Sequence, residues 1–411
     1  MKYDGYFEPT SAAVRSAVRG TLGSMQNTLS EDALAAWLRL SLQPGIGVIH
    51  AHRLLQTFDQ PSALYQASYA TLRTILSAPL AAQLAQPLSL DGAKYIERAL
   101  RWANEPGQAL VTPAHPSYPE RLRQIPDAPL VLYARGALRR LEQEAIAIVG
   151  ARNATADGLD HAQAFALYLA QQGFAIVSGL AHGIDAAAHR GALKAGQEHG
   201  GTIAVLGTGA DIVYPASHRT LADSILSADG LILSEFELGR PALAAHFPKR
   251  NRIVAGLSLG VIVVEAALKS GSLITARLAV DMGREVFAIP GSIHSPLSRG
   301  PHTLIKQGAK LVESGADILS EFQPSATIAR NAAKDSSPEV LQHELPLTPL
   351  IPNSPIWGAI GYDPITEEQL QRRTGLAPAQ LQVELFTLEL EGHIERRGHG
   401  QFVRAHARTA C

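Results

Sequence analysis

Cysteine is almost absent from the sequence: the single one is Cys411, so an intrachain disulfide and a cysteine-based zinc site are both excluded. A reducing compartment fits that usage. Long apolar runs are missing too. The richest candidate, Ile253 to Leu268, carries Glu265 and is interrupted at Gly256 and Gly260, so it reads as a helix end followed by a buried strand. The opening residues, Met1-Lys2-Tyr3-Asp4-Gly5-Tyr6, lack the apolar core of an export signal. No membrane association is expected, and a cytoplasmic location is. Charged residues are sparse at 18%, while hydrophobic residues reach 46%, enough for a substantial core.

Two nucleotide-binding fingerprints are also lacking. The first strand–helix turn of the central region reads Gly150-Ala151-Arg152-Asn153-Ala154-Thr155, not G-x-G-x-x-G. The second strand ends at Val177-Ser178-Gly179 without the acid that would hold a ribose, so a dinucleotide is disfavoured. No G-x-x-x-x-G-K-[ST] occurs, which excludes a P-loop. Neither a cofactor nor a metal is expected.

What is present is organised in blocks. At 411 residues the chain exceeds one ordinary domain. Residues 1–110 read as an N-terminal helical domain of the SAM or helix-hairpin-helix kind, with periodic Leu and Ala around the glycine turn Gln43-Pro44-Gly45-Ile46-Gly47. Residues 111–321 change to short β-branched runs alternating with helical stretches, the pattern of a parallel sheet with crossover helices. Strands are expected at Ala145–Val149, Phe174–Val177, Thr202–Leu206, Leu231–Leu233, Val261–Val264, Glu285–Ile289 and Lys310–Val312. The fold class is therefore α/β, with an extended Rossmann-like parallel sheet as its core. Residues 322–355 are rich in proline and read as a linker. Residues 356–411 carry the capping box Thr366-Glu367-Glu368-Gln369, a helix opened by Pro378 and a hairpin from Ile394 to Arg404, and so predict a winged-helix domain.

The net charge of −1 hides an asymmetry. Between His246 and Lys310 nine Lys/Arg stand against three Asp/Glu, a local charge of +6. Arg152 precedes a helix N-terminus, where backbone N–H groups, the helix dipole and a guanidinium meet one anion. His182 sits on the loop Ser178-Gly179-Leu180-Ala181-His182-Gly183, placed for a phosphate or base, whereas Asp185 and His189 read as a structural pair. In His246-Phe247-Pro248-Lys249-Arg250-Asn251-Arg252, cations surround an aromatic and an amide, which suits phosphate neutralisation together with base stacking. Lys269-Ser270-Gly271-Ser272 opens a helix and reads as an anion nest. These segments follow carboxyl ends of one sheet and predict a basic groove.

In nearly continuous order the sequence also resembles the DNA-processing protein A (DprA/Smf) family. The likeness runs through Tyr118-Pro119, Gly150-Ala151-Arg152, Ser178 to Asp185 and Val205-Leu206-Gly207-Thr208-Gly209 with Tyr214-Pro215. It continues in Phe247-Pro248-Lys249-Arg250-Asn251-Arg252-Ile253, Ser270-Gly271-Ser272-Leu273-Ile274-Thr275-Ala276 and Ala288-Ile289-Pro290-Gly291-Ser292. The resemblance implies a homodimeric, non-enzymatic protein that binds and protects incoming single-stranded DNA during natural transformation and helps load the RecA recombinase onto it. Its DNA-contact set would fall on Arg152, Asn153, Ser178, Gly179 and His182, on Phe247, Lys249, Arg250 and Asn251, and on Lys269, Ser270, Gly271 and Ser272. Arg219 and Lys306 are further candidates. Replacing Arg152 or Lys249 is expected to weaken binding to all sequences alike.

Two other readings are weaker. A nucleotide-processing enzyme of the lysine-decarboxylase-like Rossmann group would need P-G-G-x-G-T-x-x-E, of which only Pro290-Gly291-Ser292 is found. A sequence-reading regulator would need a cationic recognition helix, but Pro378 to Glu391 holds Glu384, Glu389 and Glu391 and no Lys or Arg, which disfavours docking on phosphates. That helix is expected to serve protein contact or packing.

Overall fold

The run Ala145-Ile146-Ala147-Ile148-Val149 is buried throughout, as a strand of a parallel sheet covered on both faces must be. The computed structural model describes residues 29–322, 354, 356, 357, 359, 360 and 364–405. The chain divides into two units, Met1–Gln323 and Pro324–Cys411. Residues 1–28 of the expected helical domain lie outside the described residues, as does the expected linker apart from Phe322 and Ser354.

The described part of the first unit begins with helices α1 (Glu31–Ser41), α2 (Val48–Phe58), α3 (Pro61–Gln66), α4 (Tyr69–Arg73), α5 (Ala78–Ala85) and α6 (Leu90–Ala103). Gly45, at φ 78°, makes the turn between α1 and α2. Then come β1 (Gln108–Val111), α7 (Glu120–Arg123), β2 (Leu132–Gly136), β3 (Ala145–Val149), α8 (Ala156–Gln171), β4 (Ala175–Ser178) and α9 (Ile184–Lys194). β5 (Thr202–Val205), α10 (Arg219–Ser227), β6 (Leu231–Ser234), α11 (His246–Leu257), β7 (Gly260–Val263) and α12 (Gly271–Asp281) follow. β8 (Glu285–Ala288), α13 (Arg299–Lys306), β9 (Lys310–Leu311) and α14 (Gly315–Phe322) end the unit.

All seven expected strands are present, each within a residue or so of its expected bounds, and two more, β1 and β2, were not anticipated. The sheet order is β1-β2-β6-β5-β4-β3-β7-β8-β9. β1 and β2 are antiparallel additions at one edge, and the rest is parallel. β1 lies astride the 110/111 division, and the helices before it share a core with this edge. Leu38, Leu54 and Ile96 pack in one cluster with Leu110, Tyr133 and Leu238. Tyr95 Oη lies 2.7 Å from Tyr133 Oη and accepts the Leu238 N–H at 3.0 Å.

The chain adds β3 to β6 outward in one direction and then returns to place β7 on the other side of β3. That reversal opens a crevice at the carboxyl ends of β3 and β7, where open α/β sheets bind ligands. Gly183 allows the loops after β3 and β4 to meet: its φ is 72°, and a Cβ there would stand 2.2 Å from the Ala151 carbonyl oxygen.

On α9, His189 is fully buried. Thr202 Oγ1 gives its proton to the Ile176 carbonyl at 2.6 Å, so it accepts from His189 Nδ1 at 2.7 Å and fixes the neutral Nδ1–H tautomer. Nε2 has no partner. Burial, with Arg250 and His218 nearby, pushes the His189 pKa from 6.5 down to about 3. The unfolded chain therefore binds a proton that the folded chain refuses. The stabilisation is complete above pH 6.5 and is lost as pH falls from there toward 3, by about 2 kcal/mol at pH 5. Urea titrations at pH 7.5 and 5 should show this loss in the wild type and its reduction in His189→Asn. Equal pH slopes in the two proteins would contradict the assignment.

The second unit contains β10 (Ile365–Thr366), α15 (Glu367–Thr374), α16 (Pro378–Leu390), β11 (Ile394–Arg397) and β12 (Gln401–Arg404), with sheet order β10-β12-β11. The capping box is closed in both directions: Gln369 N–H donates to Thr366 Oγ1 at 3.3 Å, and Thr366 N–H donates to Gln369 Oε1 at 3.0 Å. Leu370, Leu381, Leu385, Leu388 and Phe402 form its core. This is the expected winged helix.

Candidate functional site

The crevice beside β3 and β7 is an open groove of about 620 Å³, lined by Gly150, Arg152, Tyr214, Phe247, Arg250, Asn251 and the turn Ser270-Gly271-Ser272, among others. Each wall has a local cause. Thr155 caps α8 and is itself anchored by Glu265 at the end of β7: the Thr155 N–H and Oγ1 donate to the two carboxylate oxygens at 2.9 and 2.6 Å. This clamp fixes the turn that carries Arg152. On the other side, Ser272 Oγ donates to the Gly150 carbonyl at 2.9 Å, while Asn251 Nδ2 reaches the Gly271 carbonyl at 3.4 Å.

Arg152 is exposed, pairs with no carboxylate among the described residues, and places its guanidinium carbon 5.5 Å from the centroid of the Phe247 ring. Phe247 in turn faces Tyr214 at 5.7 Å between centroids. A cation and two aromatic rings, the rings tilted by 46° to each other, thus form a stepped ladder along one wall. Arg250 lies beneath, nearly buried. Its Nη1 donates to the Gly179 carbonyl at 2.6 Å and also to Val205, and Nε donates to Asn251 Oδ1 at 3.2 Å. Asp185 accepts N–H groups from Gly179 and Ala181 at 3.1 and 3.4 Å. Burial raises the Asp185 pKa, and Arg250 opposes that shift.

The structure therefore brings Arg152, Phe247, Arg250, Asn251, Ser270, Gly271 and Ser272 together in one groove. The other candidates stand elsewhere. Ser178 is fully buried and gives its hydroxyl proton to the Ile148 carbonyl at 2.7 Å. Gly179 lies behind Arg250, whose Nη2 would be 2.4 Å from an added Cβ. His182 is exposed on the neighbouring loop, edge-on to His218 at 4.7 Å. Asn153, Arg219, Lys269 and Lys306 are exposed but do not line the groove, although Lys269 directly precedes the lining Ser270.

Lys249 turns to the buried Glu235 at 3.5 Å, so its charge is largely answered. Arg252 does the same with Glu235 and with Asp127, and Lys310 pairs with Glu285 and Glu321. Three of the nine cations of the His246–Lys310 segment are thus balanced, in part by acids that lie outside it. The cationic character of the groove comes down to Arg152 and Arg250. Tyr214, quoted for the resemblance but not as a contact, lines the groove as well. Among the described residues no group of three His, Cys, Asp or Glu could hold a metal, and no helix is long and apolar enough to cross a membrane.

The family profile described as DNA recombination-mediator protein A matches residues 109–323, and the DprA winged helix domain matches 351–400. Protein Smf of Escherichia coli K12 is 42% identical over 320 residues, 77% of this chain and 82% of that protein. DNA processing protein DprA of Streptococcus pneumoniae R6 is 50% identical over 206 residues, 50% of this chain and 71% of that protein. The X-ray structure of DNA processing protein A from Streptococcus pneumoniae superposes with a TM-score of 0.60 at 36% identity, covering 72% of this chain and 99% of that one.

Proposed function

Because the chain belongs to the DNA recombination-mediator protein A family, also called DprA/Smf, we propose that its groove binds single-stranded DNA and that the protein, without catalysing a reaction, protects incoming strands and helps load RecA onto them in natural transformation. The observation that carries this reading is Arg152, unpaired among the described residues, over the Phe247 ring, with Tyr214 beyond it. Unpaired bases have free faces to stack on such a ladder, whereas the bases of a duplex are already stacked on each other. Phosphates would be met by Arg152, by the N–H groups and hydroxyls of Ser270-Gly271-Ser272, and by Lys269 at the rim. Asn153, His182, Arg219, Lys249 and Lys306 would serve a strand that runs beyond the groove.

In this reading residues 111–321 hold the DNA, the described helices of the 1–110 domain brace the antiparallel edge, and 322–355 link to the winged helix of 356–411. The protein acts as a homodimer in the cytoplasm. Asp185, the acid that lines the groove, is engaged by two N–H groups and faces Arg250, which leaves it poorly placed as a general base.

The test is a titration of labelled single-stranded and duplex oligonucleotides at about 50 and about 200 mM salt. Two cationic phosphate contacts, Arg152 and Lys269, predict a slope of about −1.4 in log affinity against log salt, hence a roughly sevenfold loss across that range. Single strands should bind more tightly than duplex, with little sequence preference. Equal or tighter binding of duplex, or binding indifferent to salt, would refute the reading.

A further inference from the structure

Two helices begin beside the crevice, α8 after β3 and α12 after β7, and their first turns are furnished in opposite ways. α8 follows the strand at which the sheet order reverses, where open α/β sheets seat the phosphate of a nucleotide on a helix N-terminus. Here that seat is taken. Glu265, just past β7, lays one carboxylate oxygen on the Thr155 N–H at 2.9 Å and the other on the Thr155 hydroxyl at 2.6 Å. Thr155 Oγ1 in turn accepts the Gly158 N–H at 3.0 Å. Gly158 is what lets the carboxylate come so near the first turn: a Cβ there would stand 2.5 Å from Glu265 Oε2. Glu265 is thus held as a bound anion is held at a helix start, by N–H and O–H donors and the positive end of the helix dipole.

α12 is the reverse case. Its first turn holds no acid, Ser270 caps it, and Lys269 stands directly before the cap. The lining of the groove agrees with this division: it includes Ser270, Gly271 and Ser272 at the start of α12 but neither Thr155 nor Glu265.

We propose that Glu265 is a built-in stand-in for a ligand phosphate, a specificity-determining residue that closes the α8 seat to the phosphate of a free nucleotide and leaves α12 as the helix start where the crevice takes an anion. A phosphate at α8 would meet the Glu265 carboxylate and find the Thr155 donors already engaged. The anion that the sequence leads one to expect at the Arg152 turn is supplied in this way by the chain itself, and the exposed Arg152 is left for whatever enters the groove. The proposal concerns what the crevice refuses and does not depend on what it binds.

The test removes the stand-in from the full chain and offers inorganic phosphate in its place. Glu265→Ala leaves a space beside Thr155 and Gly158 that keeps the same donors, and it should melt below wild type in chloride. Exchanging chloride for phosphate at equal ionic strength should raise its melting temperature by about 3 °C more than that of wild type, as a ligand about tenfold above its dissociation constant would. Any response of the groove itself is present in wild type and cancels, as does the effect of Asp157 in the first turn of α8. Formate, the smaller match for the missing carboxylate, should also stabilise Glu265→Ala and leave wild type unmoved. Glu265→Gln, which still fills the space, should show no excess, and Thr155→Val added to Glu265→Ala should erase it. A rescue by formate that phosphate does not share would reduce Glu265 to a helix cap and overturn the proposal. So would equal phosphate responses in Glu265→Ala and wild type, an excess that survives Thr155→Val, or a Glu265→Ala chain that stays unfolded in both anions.

Discussion

On the proposed function, Phe247→Ala should weaken binding of a single-stranded oligonucleotide about 10- to 100-fold, the loss expected when one base forfeits a stacking partner worth about 1–3 kcal/mol. Phe247 is the middle of the ladder, 5.5 Å from the Arg152 guanidinium carbon and 5.7 Å from the Tyr214 ring, so its removal also frees its two neighbours. Phe247→Trp, which keeps a flat face, retains most of the affinity. Arg152→Ala should act differently: it removes a phosphate contact and lowers the salt slope by about 0.7, whereas Phe247→Ala leaves that slope unchanged. Because the guanidinium rests on the ring, the double variant loses less than the sum of the singles. Lys249→Ala is the contrasting case, with a small effect, since that ammonium already answers Glu235. Filter-binding or anisotropy titrations across salt separate these outcomes. Normal affinity in Phe247→Ala would remove the ladder from the mechanism.

Legibility in the sequence followed the strength of the local signal. Five of the seven parallel strands, β3 to β7, are short apolar runs buried throughout, and they stood out; β8 and the edge strand β9 were legible from their place in the alternation. β1 and β2 were not, because Gln108-Ala109-Leu110-Val111 continues the leucine and alanine texture of the helices before it, and Leu132-Tyr133-Ala134-Arg135-Gly136 holds no β-branched residue. The loops of the site were legible from their glycines, cations and hydroxyls. Which side chain within each segment faces the groove was not. The segment from His246 to Arg252 is the first half of α11, and helical phase sorts it. Phe247, Arg250 and Asn251, at i, i+3 and i+4, share the face toward the groove, while Lys249 and Arg252, also three apart, share the face toward Glu235. Applied at the outset, that periodicity would have separated the two sets. Nothing in the linear sequence marks Glu265 as the clamp on Thr155, since the residues are far apart and each is ordinary in its own segment.

Arg140→Met should destabilise the first unit by about 4 kcal/mol, enough to lower its melting temperature by about 10 °C. Arg140 lies in the 3₁₀ turn Leu138–Glu142 between β2 and β3 and is fully buried. Its guanidinium serves four backbone carbonyls: Nε donates to Asp229 at 2.7 Å, Nη1 to His199 at 2.6 Å and Gly200 at 3.0 Å, and Nη2 to Gln197 at 3.0 Å. One side chain thus ties the chain entering β5 to the turn before β6, and Gly201 leaves room for it: a Cβ there would stand 2.6 Å from the guanidinium carbon. Methionine fills much of the volume but donates nothing, so those carbonyls would lose partners in a place water reaches poorly. Lysine restores a charge with only three donors and no fork, and Arg140→Lys should fall between methionine and wild type. The neighbouring Arg139 makes the internal control: it pairs with the exposed Asp229 carboxylate at 2.8 Å, and Arg139→Met should change stability by less than about 1 kcal/mol. Thermal and urea unfolding of the three variants read the difference directly. An Arg140→Met protein as stable as Arg139→Met would mean that the carbonyls find other partners and that this turn is not the tie between the two strands.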